Sequence, residues 1–226
     1  MTQKCSQSGN MLIYIIGAVF LLGILLVAMR SGYQPGAGID SEAVTLKVTQ
    51  VRKYATELER GVTFVMSNSG VSETDIRFAH VSAAAGYGTP GAAPLNRQVF
   101  EPTGGGVEWK APPSGIQTTT SDYVFVTDAI DGIGTTCGTS ACSDLITVLQ
   151  NVTKDACIAL NDSIGITNPS SDAPVLTAAI PSFTAFQGTF TGTATVATTG
   201  AYTFAKNEAC VKFSTAYYYY RVLKAR

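Results

Sequence analysis

Two stretches of the chain show a clear pattern of apolar positions, and they predict helices of different kinds. The first, residues 11–29, runs for 19 positions without a charged side chain. At about 1.5 Å per residue it spans about 28 Å as a helix, close to the roughly 30 Å hydrocarbon core of a bilayer. The pattern predicts a transmembrane helix over residues 10–30. Lys4 gives a mild preference for a cytoplasmic N-terminus.

The second pattern is an amphipathic helix predicted over residues 41–69, after a hinge predicted over residues 31–40. The helix-breaking residues of the hinge are Gly32, Pro35, Gly36 and Gly38. Beyond them, apolar side chains recur at alternating spacings of four and three, the signature of a helix with one apolar face. This apolar stripe comprises Val44, Val48, Val51, Ala55, Leu58, Val62 and Val65.

An apolar stripe of this kind must be covered by another surface. One candidate is a β-sheet of the same chain, and the other is a helix of a neighbouring subunit. The two are compatible if opposite flanks of the helix are used, because Leu46, Tyr54 and Phe64 lie off the stripe.

Residues 70–226 predict a head of mixed α and β structure. Residues 83–122 are rich in loop-forming residues, and the triple glycine Gly104–Gly106 predicts a turn that lets Trp109 pack over the sheet. The β-branched and aromatic residues of 122–128 indicate a strand. Residues 143–164 predict a second helix, with Ser143 as its N-cap.

After residue 174 the chain has the composition of antiparallel β-hairpins. Short apolar runs alternate there with glycine and polar turns, and the last run contains the four tyrosines Tyr217–Tyr220. Strand side chains alternate between faces, so two of these rings point to each side. The strand is therefore expected to be covered on both faces, or to present aromatic rings to a partner.

Four of the five cysteines follow the apolar segment, and Cys5 precedes it. The short loop between Cys137 and Cys142 favours a local disulfide, which leaves Cys157 to pair with Cys210. Four cysteines allow three connectivities, and zinc is the rival interpretation, although the spacing suits a zinc finger poorly. Disulfides would place the head in an oxidising compartment.

Composition narrows the class of protein. Only 14% of the residues are charged and the net charge is −1, which excludes binding of nucleic acid through bulk positive charge. A hydrophobic fraction of 46% is too high for a long disordered chain. The remaining polarity comes largely from neutral groups, which fits an extracytoplasmic surface.

No catalytic constellation is apparent in the sequence. A triad would have to use His80, the single histidine, and no GxSxG nucleophile elbow is present. His80 is expected to be a surface or half-buried side chain. Asp128 and Asp131 lie in a turn that is either simply acidic or a calcium site, and the spacing does not match an EF-hand. No cofactor is expected, and the prediction is a protein without enzymatic activity.

The order of segments resembles that of type IV pilins and pseudopilins. A short polar leader, MTQKCSQSG, is followed by an apolar helix, a hinge, an amphipathic helix and a cysteine-bearing head. The start SGNMLIYIIGAVFLLGILLVA and the end YYYYRVLKAR are similar to pilin-like membrane proteins of alphaproteobacteria. The resemblance implies the pilin-like α+β fold, in which the amphipathic helix packs on an antiparallel sheet.

The resemblance also assigns roles to residues near the N-terminus. Residues 1–9 would be the leader, cut by a prepilin peptidase after Gly9, and Asn10 would become the new N-terminus. Tyr14 occupies the position where the family usually has a glutamate that pairs with a neighbour's amine. Its presence there indicates an initiating or minor subunit, or a relative that does not polymerise. Gly17 and Gly23 offer small-residue surfaces for helix pairing.

The function expected from this resemblance is that of a structural subunit of a type IV pilus, a fimbrium used in adhesion or secretion. Before assembly the chain would span the bacterial inner membrane once, with its head in the periplasm. Its partners would be membrane lipid, prepilin peptidase and other pilin-like subunits, with no nucleic acid. The alternative is a membrane-anchored binding or adhesion module that does not polymerise.

Overall fold

The computed structural model describes residues 14–22, 37–135, 139–177, 183–192, 195–197 and 206–226. The chain divides into two compact units, Met1–Ala43 and Val44–Arg226. In the first unit, residues 14–22 form a helix, α1, whose side chains are exposed. Among the described residues, no helix combines the length and the apolar character needed to cross a membrane. The predicted membrane span lies within this description only at residues 14–22.

The long helix α2 extends over Ala37–Ser69, 33 residues. It begins four residues before the predicted start, which corrects the boundary of the hinge: Gly38 lies in the first helical turn. Glycine is tolerated there because the first N–H groups of a helix have no partner within the helix. The predicted apolar stripe is confirmed, because Val48, Val51 and Leu58 are all buried in the head.

The head contains a five-stranded sheet in the order β3-β1-β2-β5-β4. The strands are β1 Val124–Ile130, β2 Asp144–Leu149, β3 Thr195–Val196, β4 Glu208–Phe213 and β5 Ala216–Lys224. The pairs β1–β2, β2–β5 and β4–β5 are antiparallel, whereas β1 and β3 are parallel. The predicted strand at 122–128 is thus confirmed with a shift of two residues.

Both faces of this sheet are covered. On one face, Phe125, Leu145 and Tyr219 share a core with α2 and with the helix α3, Lys154–Ser163. On the other face, Ile146 and Tyr220 belong to a second core. Successive tyrosines of β5 therefore point to opposite sides, and the expectation of a strand covered on both faces is confirmed.

The segment 174–177 joins the two edges of the sheet. Leu176 N donates to Lys212 O of β4 at 2.8 Å, and Thr177 N donates to Ala197 O, next to β3, at 3.0 Å. Unpaired edge strands are sites of unwanted pairing between chains. Here the carbonyl groups of Lys212 and Ala197 already accept hydrogen bonds from within the head.

The prediction of one helix over 143–164 is wrong. Residues Asp144–Leu149 are the central strand β2, and α3 begins only at Lys154, with Thr153 as N-cap. The reason is that β2 lies between β1 and β5 and is buried at every position, which favours its β-branched residues. Asn151, at φ 56°, turns the chain between strand and helix. Residues 183–190, expected to be β structure, form no strand.

Candidate functional site

The surface of α2 is the candidate site, because the apolar stripe left two partners open for this helix, a β-sheet of the same chain or a helix of a neighbouring subunit. Its inward face is filled by the head, which is the first of the two partners considered for the stripe. Gly61 lies against the head, since a Cβ there would collide with Val107. Of the residues off the stripe, Tyr54 is buried, whereas Leu46 is 61% and Phe64 is 49% exposed.

The burial of Tyr54 corrects its expected place on a free flank. Its ring packs on Tyr123, with 5.0 Å between ring centroids, and its hydroxyl accepts a hydrogen bond from Lys110 N at 3.2 Å. Burial raises the pKa of the Tyr54 hydroxyl, against the smaller opposing effect of the Lys110 hydrogen bond. Tyr54 therefore belongs to the interface between α2 and the head.

Two clefts flank the outward side of α2. One, of about 250 Å³, lies among Gln50, Lys53, Glu57 and Lys110. The other, of about 470 Å³, lies between Arg60, Phe64 and the segment 105–108. Glu57 lines both, so the clefts adjoin along the helix. Together they form a concave surface beside the exposed side of α2.

A network of charges ties one flank of α2 to the sheet. Glu208 accepts from Arg52 Nη2 at 2.5 Å and from Arg221 Nη1 at 2.7 Å, and Arg221 also pairs with Glu59 at 2.6 Å. Tyr219 donates to Glu208 at 2.9 Å. Burial acts to raise the pKa of Glu208, but these hydrogen bonds and the arginine charges outweigh it and lower the pKa. No periodic pattern in the sequence indicates this network, because its members are distant along the chain.

The two candidate calcium residues, Asp128 and Asp131, lie in different environments. Asp128 is 1% exposed and faces Asp144 across the β1–β2 ladder, while Asp131 lies at the surface end of the turn, half-buried. Within the described residues no group of three or more acidic, histidine or cysteine side chains could hold a metal ion. The acidic residue opposite Asp128 is Asp144, which the sequence did not indicate.

The environments of these two aspartates differ. Asp144 accepts from Ile130 N at 3.1 Å and from Arg226 N at 2.9 Å, whereas Oδ2 of Asp128 has no hydrogen-bond partner. Burial, together with the nearby Asp144 charge, raises the pKa of Asp128 to about 8 against the effect of its hydrogen bond from Ala129 N. At neutral pH its protonated form is favoured.

His80 is half-buried, as expected, and belongs to an aromatic cluster. Its ring stacks on Trp109 at 5.1 Å between centroids, and its Nδ1 accepts from Ser82 N at 3.1 Å. Trp109 also meets Phe100 edge-on at 5.1 Å. The turn at Gly104–Gly106 thus returns the chain so that Trp109 packs on loop aromatics.

The cysteine predictions are confirmed where they can be followed. Cys157 and Cys210 form a disulfide that links α3 to β4. Cys142 is also disulfide-bonded, and its predicted partner, Cys137, lies outside the described residues. Asn161 adds to the α3–β4 junction by donating to Cys210 O and accepting from Cys210 N, both at 2.8 Å.

Most of the predicted leader, membrane and hinge residues lie outside the described part of the chain: Gly9, Asn10, Gly23, Gly32, Pro35 and Gly36. Within α1, Tyr14 is 72% exposed, and the space around Gly17 is open to a side chain. Their roles in processing and assembly stay predictions.

Comparison of the chain with protein-family models, with curated proteins and with solved structures gave no match.

Proposed function

We propose that this protein is a non-catalytic structural subunit of a type IV pilus or of a related secretion or adhesion filament. Before assembly it is anchored in the inner membrane by residues 10–30, with its N-terminus in the cytoplasm and its head in the periplasm. The leader 1–9 is removed by prepilin peptidase after Gly9. The other partners are membrane lipid and further pilin-like subunits.

The observation that carries this proposal is the 33-residue helix α2, packed along one face on a mainly antiparallel sheet. A helix of this length, following an apolar segment, fits a chain that moves from a bilayer into a bundle of like helices. In such a bundle the apolar side chains of neighbours replace the lipid. The Cys157–Cys210 disulfide fits a head located outside the cytoplasm.

The second candidate is a membrane-anchored binding or adhesion module that remains in the membrane. Tyr14 supports it, because a glutamate at that position would pair with a neighbour's N-terminal amine. A buried carboxylate in the membrane is costly unless it is paired, so its presence usually marks a contact between subunits. Tyr14 offers no such charge. The same feature fits an initiating or minor subunit of the filament.

The N-terminus of the native protein tests the proposal. Intact-mass measurement and N-terminal sequencing of protein from native membranes should give a mature chain that begins at Asn10. The variant Gly9→Leu should retain all nine leader residues, while the neighbouring variant Ser8→Ala should be processed normally. A wild-type chain that still begins at Met1, or one cut near residue 28, would contradict prepilin processing and favour the anchored module.

A further inference from the structure

The outward face of α2 carries a second regular row of side chains, here named the outward ridge. It is defined by Leu46, Gln50, Lys53, Glu57, Arg60 and Phe64. The spacings of four and three are those of a heptad seam, so the row follows one line along the helix. From its first to its last residue the ridge is about 27 Å long. Five of its members are exposed and Glu57 is half-buried.

The charges of the ridge are largely unused within the head. Lys53 and Arg60 are exposed, and neither has an ion pair within the described residues. Glu57 pairs with Lys110 at 2.6 Å on one side of the helix. The charges on the flank facing the sheet are instead engaged in the Glu208 network. Within the described residues, the ridge therefore offers the unpaired charges of Lys53 and Arg60 to a partner.

The sequence of the ridge is complementary to itself when read in reverse. In an antiparallel pairing centred on Ala55, Lys53 of one copy faces Glu57 of the other, and Leu46 faces Phe64. The remaining layer joins Gln50 to Arg60. A two-fold axis produces each of these contacts twice. A parallel, in-register pairing would instead oppose Lys53 to Lys53, Glu57 to Glu57 and Arg60 to Arg60, which is repulsive.

The cleft beside Phe64 supplies space for the apolar end of this pairing. It is bounded by Phe64 and by Gly105, Gly106 and Val107, and the two glycines contribute no side chains to fill it. Leu46, 61% exposed, protrudes at the opposite end of the ridge. In the antiparallel arrangement the Leu46 of each copy is brought to the Phe64 cleft of the other.

We infer that the outward ridge is a self-association surface on which a second copy of this chain docks, with the two α2 helices antiparallel. The inference goes beyond the filament function and does not depend on it, since it uses only residues of the second compact unit, Val44–Arg226. A single helical ridge is a small interface, so the dimer is expected to be reversible and sensitive to salt.

A charge-swap series tests this inference. Sedimentation of the full chain in mild detergent should show a dimer whose dissociation constant rises about tenfold in Lys53→Glu and in Glu57→Lys, because each change enters the interface twice. The double variant Lys53→Glu/Glu57→Lys should restore association, since the opposite charges meet again. Lys110→Ala controls for the lost internal pair of Glu57, and Lys154→Glu is a matched reversal at an exposed lysine of α3.

Disulfide trapping tests the direction of the helices. In a Cys5→Ser background, chains carrying Gln50→Cys are mixed with chains carrying Arg60→Cys and oxidised. Antiparallel docking predicts cross-linked pairs of unlike chains in excess over pairs of like chains. A chain that stays monomeric at every concentration, a double variant that fails to restore association, or an excess of like-chain pairs would each overturn the inference. Folding of each variant is checked by its thermal transition.

Discussion

Glu208 and Asp128 are acidic side chains of the sheet, one partly and one fully buried, and their surroundings shift their pKa values in opposite directions. Glu208, with a side chain 12% exposed, receives hydrogen bonds from two arginines and a tyrosine, and its pKa is lowered. Asp128, 1% exposed, faces a second carboxylate and has one oxygen without a partner, and its pKa rises to about 8.

The difference between these sites shows that burial alone does not decide the charge of a group. Burial favours the neutral acid at both, and only the α2–sheet junction supplies enough positive charge to reverse that effect. The junction is thus held by ionised groups between elements far apart in sequence. On the opposite face of the sheet, the raised pKa of Asp128 favours the protonated acid at neutral pH. The following variants test this contrast, beginning with the largest expected effect.

Glu208→Gln should lower the free energy of unfolding by about 2 kcal/mol at pH 7, because two partly buried arginines lose their shared counter-charge. The folded pKa of Glu208 is depressed, so its contribution is present above the ordinary glutamate pKa and is lost as the pH falls through the folded value. Urea unfolding of both proteins at pH 7 and at pH 3 measures this. A difference that is equally large at pH 3 would contradict the electrostatic origin.

Asp128→Asn should have the opposite sign and stabilise the head by about 1–2 kcal/mol at pH 9. The folded pKa of Asp128 is about 8, above its ordinary value, so the wild type loses stability as the pH rises from about 4 to about 8. The variant has no carboxyl group to ionise at this position, so it keeps its stability as the pH rises. The difference in stability between the variant and the wild type should disappear near pH 4. Thermal unfolding across this range checks it, and Asp131→Asn is the surface control.

Tyr219→Phe should lower stability by about 1 kcal/mol, since it removes a single hydrogen bond to Glu208 and leaves both arginines in place. The buried ring keeps its position in the core. Chemical denaturation at pH 7 measures the loss. In the Glu208→Gln background the same substitution should cost less, and a fully additive pair would show that the hydroxyl does not act through Glu208.

Glu57→Gln should change stability by less than about 0.5 kcal/mol, because the Glu57–Lys110 pair is solvent-accessible on the outward side of α2. Denaturation at low salt and at about 0.5 M salt should give nearly the same small difference. A loss of stability as large as that of Glu208→Gln would contradict the claim that ion pairs on the outward surface of α2 contribute less than those at its junction with the sheet.

The local patterns of the sequence were sufficient to predict some secondary-structure elements and not others. Val48, Val51 and Leu58 recur at helical spacing, and all three are buried, because a single helix supplies the whole pattern. Residues 144–149 misled the helix prediction. Their apolar positions continue into α3 at helical intervals, but pairing of β2 with two neighbouring strands decides their structure.

The contacts that the sequence could not predict depend on strand register and on packing between distant segments. Asp144 comes to face Asp128 through the β1–β2 ladder, and Arg221 reaches Glu59 across 162 positions of sequence. The Cys157–Cys210 pair was predictable only because few cysteines were available to combine. The spacing of the outward ridge can be read from the sequence. Only the burial of the apolar stripe, however, shows that the ridge faces away from the head.

Filament membership is tested most directly by fractionating sheared cells. Surface filaments are detached by shear, collected by centrifugation, and probed by mass spectrometry and with an antibody against the head. The account predicts that the chain beginning at Asn10 is recovered in the sheared filament fraction, along the filaments or at their ends. Recovery of the chain solely in the membrane fraction, from cells whose filaments are otherwise intact, would contradict it.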